Sequence, residues 1–303
     1  MTQYDLIVVG EGLSGLTCAG HAARSGLKVA SFEAEFFGGL VINIAELEGF
    51  EDGGGLSGMD LAADMARANG KAGVKSHQQP VGAIRKTGNG FEVESEGESF
   101  GARAIVIATG ARLKRLGLDG EERLEGKGVS HCADCDGPLF SGADVVVVGG
   151  GDSAFQEALV LARDCSSVRV IHLGKEPKAR THFVDAAKAE PKISLIPECT
   201  VDAILGSDAV TGVRVRGADG AVEELRCEGI FTYIGLEPNS SVAPAEVARD
   251  SESRLTADET FETSMRGIWA IGQVRSGFSG LLRDAVPEAR HAADAVRSRL
   301  QKS

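Results

Sequence analysis

Proline is scarce in this 303-residue chain, at eight in all, so the composition is not that of a disordered low-complexity segment. Cysteine is scarce too. Six thiols in a chain of this length do not make a secreted disulfide framework, and any disulfide is expected to be catalytic rather than structural. Positive charge is in deficit: 32 Lys and Arg against 44 Asp and Glu leave a formal net charge of -12, which argues against a nucleic-acid surface and reads as solubility. The same balance disfavours an anionic membrane. Long apolar runs are also missing, since Leu6-Ile7-Val8-Val9 is far shorter than a signal core or a membrane span and Met1 to Asp5 has no basic region. A cytoplasmic protein is expected.

Glycine is what the chain has in excess, at 40 residues, which signals many tight turns or backbone approaches to a ligand. Hydrophobic residues at 43% and charged residues at 25% are ordinary for a globular protein, and the length favours two domains.

The most reactive stretch is His131-Cys132-Ala133-Asp134-Cys135-Asp136-Gly137-Pro138. A C-x-x-C pair is either a dithiol/disulfide couple or half of a zinc site. A zinc site needs two further ligands, and Cys18, Cys165, Cys199 and Cys227 stand alone, with no second C-x-x-C and no H-x3-5-H pair. The redox reading is preferred, and no metal is expected.

Leu6 to Val9 reads as a buried strand running into Gly10-Glu11-Gly12-Leu13-Ser14-Gly15 and an Ala-rich helix to about Gly26. Gly10 permits the turn, Gly12 lets a pyrophosphate approach the backbone, and Gly15 allows close helix-strand packing. A second strand, Leu27 to Phe32, ends at Glu33, 18 residues after Gly15 and near the spacing of a carboxylate that grips ribose hydroxyls. Residues 36–55 read as a loop carrying Gly38-Gly39 and Gly53-Gly54-Gly55, able to cover a flat cofactor, and a helix is expected from Ser57 to Ala68. Strands follow at Val81 to Arg85, Phe91 to Ser95, Ser99 to Ala102 and Ala104 to Ala108.

The fingerprint then repeats. Asp144 to Val148 leads into Gly149-Gly150-Gly151-Asp152-Ser153-Ala154 and a helix from Phe155 to Ala162, about 139 residues after the first unit. Two such units imply two dinucleotide sites. Val168 to His172 is the next strand, a basic loop holds Lys175, Lys178 and Arg180, and an antiparallel set is expected at Ile193 to Ile196, Val201 to Leu205, Gly212 to Arg216, Val222 to Cys227 and Gly229 to Tyr233. A last strand spans Gly267 to Gly272 and a long helix Leu281 to Leu300. The tail is expected to return to the first domain. The fold class is therefore α/β, with two Rossmann-like dinucleotide-binding domains, the second (residues 113–238) inserted into the first (residues 1–112 and 239–303).

Across essentially its whole length the chain resembles the low-molecular-weight thioredoxin reductase family of flavoproteins. The resemblance is carried by Gly10 to Gly15, Ala108-Thr109-Gly110-Ala111, Ser130 to Gly137, Gly149 to Ala154 and Gly267 to Gly272. It implies a homodimer with FAD on the discontinuous domain, at Gly10, Gly12, Leu13, Ser14, Gly15, Glu33, Gly39, Thr109, Gly110, Gly272, Gln273, Arg283, Asp284 and Ala285. A pyridine nucleotide, NADPH or NADH, is implied at Gly149, Gly151, Asp152, Ser153, Ala154, His172 and Lys178 of the inserted domain. Cys135 is then the sulfur that takes electrons from the flavin, Cys132 exchanges with a thioredoxin-like protein or small disulfide, and Asp136 handles the proton. Asp136 as a simple turn former is the bland alternative. The family also implies a domain rotation, with hinges near residues 112–117 and 237–240.

The departures bear on the electron donor. Family members that use NADPH carry His-Arg-Arg after the second strand of the nicotinamide unit, whereas this chain has His172-Leu173-Gly174, with Glu176 as the nearest acid and Lys175, Lys178 and Arg180 as nearby cations. The family's Gly-Asp beside the flavin is Gly272-Gln273, its Arg-Gln-Ala is Arg283-Asp284-Ala285, and its Gly-Gly-Gln-Leu is Gly38-Gly39-Leu40. Three functions stay open: an NAD(P)H-dependent disulfide reductase; a pyridine-nucleotide-independent relative, dependent on ferredoxin or acting as an oxygen-dependent dithiol oxidase; and a non-enzymatic flavin redox sensor.

Overall fold

A computed structural model of the chain describes residues 2–44, 47 and 56–302, so the glycine triplet at residues 53–55 lies outside the described residues. The fold divides into two compact units, Met1–Arg112 with Glu237–Ser303, and Leu113–Leu236.

The first unit begins with β1 (Thr2–Val9), α1 (Leu13–Arg24) and β2 (Val29–Phe32), a parallel pair joined by a crossover helix. A short 3-10 helix at Gly39–Asn43 precedes α2 (Gly58–Lys71), whose N-cap is Ser57: its hydroxyl accepts the Asp60 N–H, satisfying one of the free amides of the first turn. Then come β3 (Lys75–His77), β4 (Val81–Thr87), β5 (Gly90–Ser95) and β6 (Glu98–Ile107). The two strands expected at 99–102 and 104–108 are one. The first half of β6, Glu98 to Ala102, pairs antiparallel with β5, while its apolar second half, with Ala104 to Ile107 buried, pairs parallel with β17 (Ile268–Ala270), and β1 runs parallel to β6 on its other edge from Phe100 to Ile107. One strand thus serves two environments, which its change of composition concealed.

Among the described residues the sheet has seven strands in the order β3-β2-β1-β6-β5-β4, with β17 also on β6. The last helix of the chain, Leu282–Gln301, packs its Ala289, Ala292, Ala293 and Val296 against Leu6, Val8, Ala19 and Trp269, which makes the core on that face of the sheet. Small residues on helix and strand allow the close approach.

The chain leaves the first unit by β7 (Ala111–Leu113) and returns by β16 (Leu236–Pro238). Between them lie β8 (Val129–Ser130), α3 (Ala133–Asp136), β9 (Asp144–Val148), α4 (Asp152–Leu161), β10 (Ser167–Ile171), α5 (Thr181–Ala189), β11 (Ile193–Ile196), β12 (Cys199–Leu205), β13 (Gly212–Gly217), β14 (Val222–Arg226) and β15 (Gly229–Thr232). The expected five-membered antiparallel set splits in two. Only β12-β13-β14 are antiparallel; β11 and β15 join a parallel sheet of order β11-β10-β9-β15-β8. Short apolar strands carry no mark of direction, so their sequences could not separate these roles. The closing helix is α6 (Leu282–Gln301), and among the described residues no helix is long and apolar enough to cross a membrane.

Candidate active site

Cys132 and Cys135 are joined as a disulfide, with Cα atoms 5.3 Å apart. Cys132 ends the segment after β8 and caps α3 with its own sulfur, which accepts the Cys135 N–H at 3.2 Å. A sulfur in that position has its negative form favoured by the free amides of the first turn. Cys132 is half-buried and Cys135 exposed.

Asp136 closes the same turn. Its Oδ2 accepts the Ser130 hydroxyl at 2.6 Å, and the Ser130 oxygen in turn accepts the Cys132 N–H at 3.2 Å. The carboxylate is therefore aimed by a serine at the end of β8 rather than being free on a loop. Asp136 N–H also donates to the Cys132 carbonyl at 3.1 Å, so the acid and the first cysteine share one turn of backbone. His131 is half-buried, with Nδ1 2.7 Å from Thr232 Oγ1, while Asp134 is exposed.

Beneath the turn sit two residues that sequence reasoning missed. Glu157 on α4 and Tyr233 just after β15 both accept the Ala133 N–H, each at 3.2 Å, and the Tyr233 hydroxyl donates to Glu157 Oε2 at 3.3 Å. Burial first, then the Asp134 charge, pushes the Glu157 carboxyl above its ordinary value, while the Ala133 N–H and the phenol pull it back. Tyr233 is raised by burial and by Glu157, so it is a neutral donor. A signal was available: Ala154, Ala158 and Leu161 form the buried face of α4, and Glu157, three residues from Ala154, falls on that face.

In the first unit, Gly10 has φ of +104°, and a Cβ there would sit 2.4 Å from the Ala108 carbonyl and 2.9 Å from Thr109 Cα. A Cβ at Gly15 would lie 1.9 Å from the Gly10 carbonyl, which is why α1 starts so close to β1. Gly12 caps α1 with no side-chain hydrogen bond, and a Cβ on it would keep 3.8 Å of clearance to its nearest neighbour, the Gly38 carbonyl. Gly39 lies over it, where a Cβ would come within 3.3 Å of Gly12 Cα, and Gly272 lies against Ser14, where a Cβ would meet Ser14 Oγ at 2.7 Å. Glu33 accepts the Glu11 N–H at 2.8 Å and the Glu35 N–H at 3.1 Å. Gly10, Gly12, Leu13, Ser14, Gly15, Glu33, Gly39, Thr109 and Gly272 are thus gathered at one end of the sheet. Thr109 is pinned by donating to the Asn239 carbonyl at 2.7 Å, and Gly110 follows with φ of +63°.

Gln273 follows Gly272 in a short 3-10 turn. Arg283, Asp284 and Ala285 open α6, where Ala285 is buried, Asp284 accepts the Ser279 hydroxyl at 2.6 Å, and Arg283 is exposed. The Gly272 turn has a support that no motif marked: Glu288 Oε1 accepts the Gly272 N–H at 2.7 Å while its Oε2 pairs with Arg275 at 2.6 Å.

The donor set fits a dinucleotide. An uncapped helix start offers free N–H groups to an anion, Gly12 leaves the approach clear, and a carboxylate with two of its acceptor sites taken can still accept from two hydroxyls.

The second fingerprint has the same frame and more cover. Gly151 caps α4 without a side-chain bond, nothing lies within 4 Å of where its Cβ would be, and Gly149 has φ of +148°. Ser153 and Ala154 form the first turn, with Ala154 buried. Residues 178–180 close on this turn: the Lys178 and Ala179 N–H groups donate to the Gly150 carbonyl at 2.7 and 3.0 Å, and Arg180 donates to Asp152 through its backbone at 2.7 Å and Nε at 2.6 Å. His172 is buried, and among the described residues its Nδ1 has no hydrogen-bond partner, while the Lys178 side chain is exposed. Leu173 is 77% exposed.

Four thiols stand apart from this chemistry. Cys18, Cys165, Cys199 and Cys227 are all buried, and burial lifts the first to about 12, the second to about 11, the last to about 12 and Cys199 above its ordinary value.

The chain is similar to known proteins over its whole length. The pyridine nucleotide-disulphide oxidoreductase family matches residues 4–296. A thioredoxin reductase of Treponema pallidum is 32% identical over 98% of this chain and 97% of its own, and one from Mycolicibacterium smegmatis is 37% identical over 90% of this chain and 89% of its own. Among solved structures, thioredoxin reductase from Lactococcus lactis superposes with a TM-score of 0.93 at 31% identity, covering 99% of this chain and 100% of the other. That from T. acidophilum gives 0.90 at 31% identity over 99% of each. The chain therefore belongs to the pyridine nucleotide-disulphide oxidoreductase family, as a divergent member of its thioredoxin reductase branch, and is a flavin-dependent disulfide oxidoreductase.

Proposed function

We propose that this chain reduces the disulfide of thioredoxin, or of a similar small dithiol protein, at the expense of NADPH or NADH, working in the cytoplasm as a homodimer. The observation that carries the reading is the Cys132–Cys135 disulfide, with its first sulfur under the Cys135 N–H and Asp136 aimed by Ser130 in the same turn. Gly10, Gly12, Leu13, Ser14, Gly15, Glu33, Gly39, Thr109, Gly110, Gly272, Gln273, Arg283, Asp284 and Ala285 would hold FAD. When bound, FAD supplies two-electron chemistry between a hydride donor and a dithiol.

The chain's own residues do the rest. In the reduced pair, the Cys132 thiolate is steadied by the Cys135 N–H and attacks the substrate disulfide, forming a mixed disulfide and releasing one substrate thiolate. Cys135 then attacks Cys132 Sγ, which restores the Cys132–Cys135 bond and releases the second substrate sulfur. Asp136 exchanges the proton that Cys135 loses, a role that suits a half-buried carboxylate held by one hydroxyl.

Anaerobic titration of the FAD-loaded protein with NADPH, NADH and dithiothreitol tests this reading. Bleaching of the flavin by either nucleotide, followed by stoichiometric thiol formation on added thioredoxin, is the expected result; bleaching by dithiothreitol alone overturns the nucleotide-dependent reading. A second reading, without a pyridine nucleotide and with ferredoxin or oxygen at the far end, is favoured by the apolar Leu173 at the nucleotide edge and by Arg180 occupying Asp152. Reduced ferredoxin as donor, or oxygen uptake with a dithiol, separates its two forms.

A further inference from the structure

The first amide of α3 has no helical partner, and in a C-x-x-C turn such amides favour the thiolate of the first cysteine. Here one of them is diverted. The Cys135 N–H does reach Cys132 Sγ, at 3.2 Å, but the Ala133 N–H is taken by Glu157 Oε2 and Tyr233 Oη, both at 3.2 Å. Tyr233 closes the triangle by donating to the same carboxylate oxygen at 3.3 Å. Ala133 is fully buried, and the Glu157 stem rises from the face of α4 that packs Ala154, Ala158 and Leu161, so a carboxylate has been brought under the turn through an apolar layer. The titratable groups acting on it are Asp134 of α3 and Tyr233 of the β15 end, the one a like charge and the other a donor.

We propose that Glu157 is a positioning residue of the redox turn: with Tyr233 it anchors the Ala133 N–H, and its charge keeps the Cys132 thiol of the reduced pair from ionising as readily as the turn alone would allow. Both effects act in one direction. Removing an N–H from the sulfur's surroundings and adding a negative charge each disfavour a second negative charge nearby. A dithiol whose thiolate is less favoured is the stronger reductant, because the reduced form gains less from ionisation. Glu157 thus biases the pair toward giving electrons. This rests on reading Cys132 and Cys135 as the exchanging pair.

The test follows alkylation of Cys132 by iodoacetamide from pH 5 to pH 9 in the full-length FAD-loaded protein, reduced by dithiothreitol and freed of it under argon, with adducts located by mass spectrometry. Glu157→Gln keeps an acceptor for the Ala133 N–H and removes only the charge. It is expected to lower the midpoint of the Cys132 profile by roughly half to one pH unit, the order of one like charge a turn away at an effective dielectric of roughly 50, between that of a protein surface and that of water. Alkylation at pH 6 then rises about three- to tenfold, and the equilibrium with dithiothreitol moves toward the dithiol. Tyr233→Phe is expected to shift the profile the same way by less, since losing the phenol weakens ionisation of Glu157, and the double variant goes no further than Glu157→Gln. An E157Q profile that superimposes on the parent, or moves upward, overturns the proposal. If E157Q does not fold, Y233F decides it alone, and an unmoved Y233F profile is then the refuting result. Alkylation needs no electron donor or protein substrate, so a failure of the thioredoxin reading shows in turnover while this readout is unaffected.

Discussion

Truncating Glu288 is expected to unseat the first unit. The Glu288 carboxylate is 8% exposed and holds Arg275 at 13%, with Oε2 2.6 Å from Nη2 and Oε1 3.2 Å from Nε, and the same Oε1 accepts the Gly272 N–H at 2.7 Å. Arg275 has other company, since its guanidinium lies 5.1 Å over the Phe261 ring and donates to the Ser276 carbonyl, but none of that supplies a counter-charge. Glu288→Ala therefore leaves a buried guanidinium without its anion, a change worth about 3–5 kcal/mol, and a backbone N–H without its acceptor, worth about 1–3 kcal/mol. The two overlap, because one carboxylate serves both. Taking about 4 kcal/mol, and about 2–4 °C per kcal/mol for a domain of 150–250 residues, the melting transition of the first unit falls by roughly 8–16 °C. Differential scanning calorimetry of the FAD-loaded protein reads it, with flavin release as the marker of that unit. The double variant Arg275→Met, Glu288→Met removes both charges and is expected to recover more than half of the loss. A fall below about 3 °C in E288A, or a double variant as unstable as the sum of the singles, refutes the reasoning.

Gly15→Ala and Gly12→Ala separate a packing glycine from a ligand-facing one: the first puts a methyl 1.9 Å from the Gly10 carbonyl and is expected to lower both stability and flavin content, while the second, with 3.8 Å of clearance, leaves folding intact and lowers flavin content alone. Thermal melts beside absorbance ratios of the purified proteins decide it, and equal losses in both assays for G12A would be the adverse result. Because the folded pKa of Glu157 lies above its ordinary 4.5, its contribution to stability is present below that value and lost as pH rises through the folded value. Urea unfolding of the second unit is expected to show this decline, and E157Q to flatten it. Cys135→Ser is expected to trap thioredoxin on Cys132 as a mixed disulfide visible on non-reducing gels, whereas Cys132→Ser traps none; trapping by C132S instead reverses the assigned order of the sulfurs.

The parts of this molecule legible in the sequence are those set by steric minimum distances. Gly10 and Gly15 announce a strand meeting a helix because no larger residue fits either place, and Cys132-x-x-Cys135 announces its own geometry because three residues of turn bring two sulfurs within bonding range. What stayed hidden depends on partners remote in sequence. Glu288 supports the Gly272 turn from α6, with Arg275 beside that turn as its counter-ion, and Glu157 reaches Ala133 from 24 residues away. Ile193–Ile196 and Gly229–Thr232 look like members of the β12–β14 hairpin set in composition, and only the neighbours they find, β10 and β9, make them parallel. Cofactor motifs in this chain therefore read locally, while the groups that tune and hold them do not.

The burial of Cys18, Cys165, Cys199 and Cys227, with thiols lifted well above neutral pH, has a practical consequence. A maleimide titration of the native protein becomes a direct gauge of redox state, counting none of the thiols in the oxidised form and the C-x-x-C pair in the reduced one. A fluorophore or spin label can be placed on Cys132 of a Cys135→Ser protein with the other four cysteines left in place, so no cysteine-free background has to be engineered. The same shielding confines oxidative damage by peroxides to the pair that is built to be regenerated.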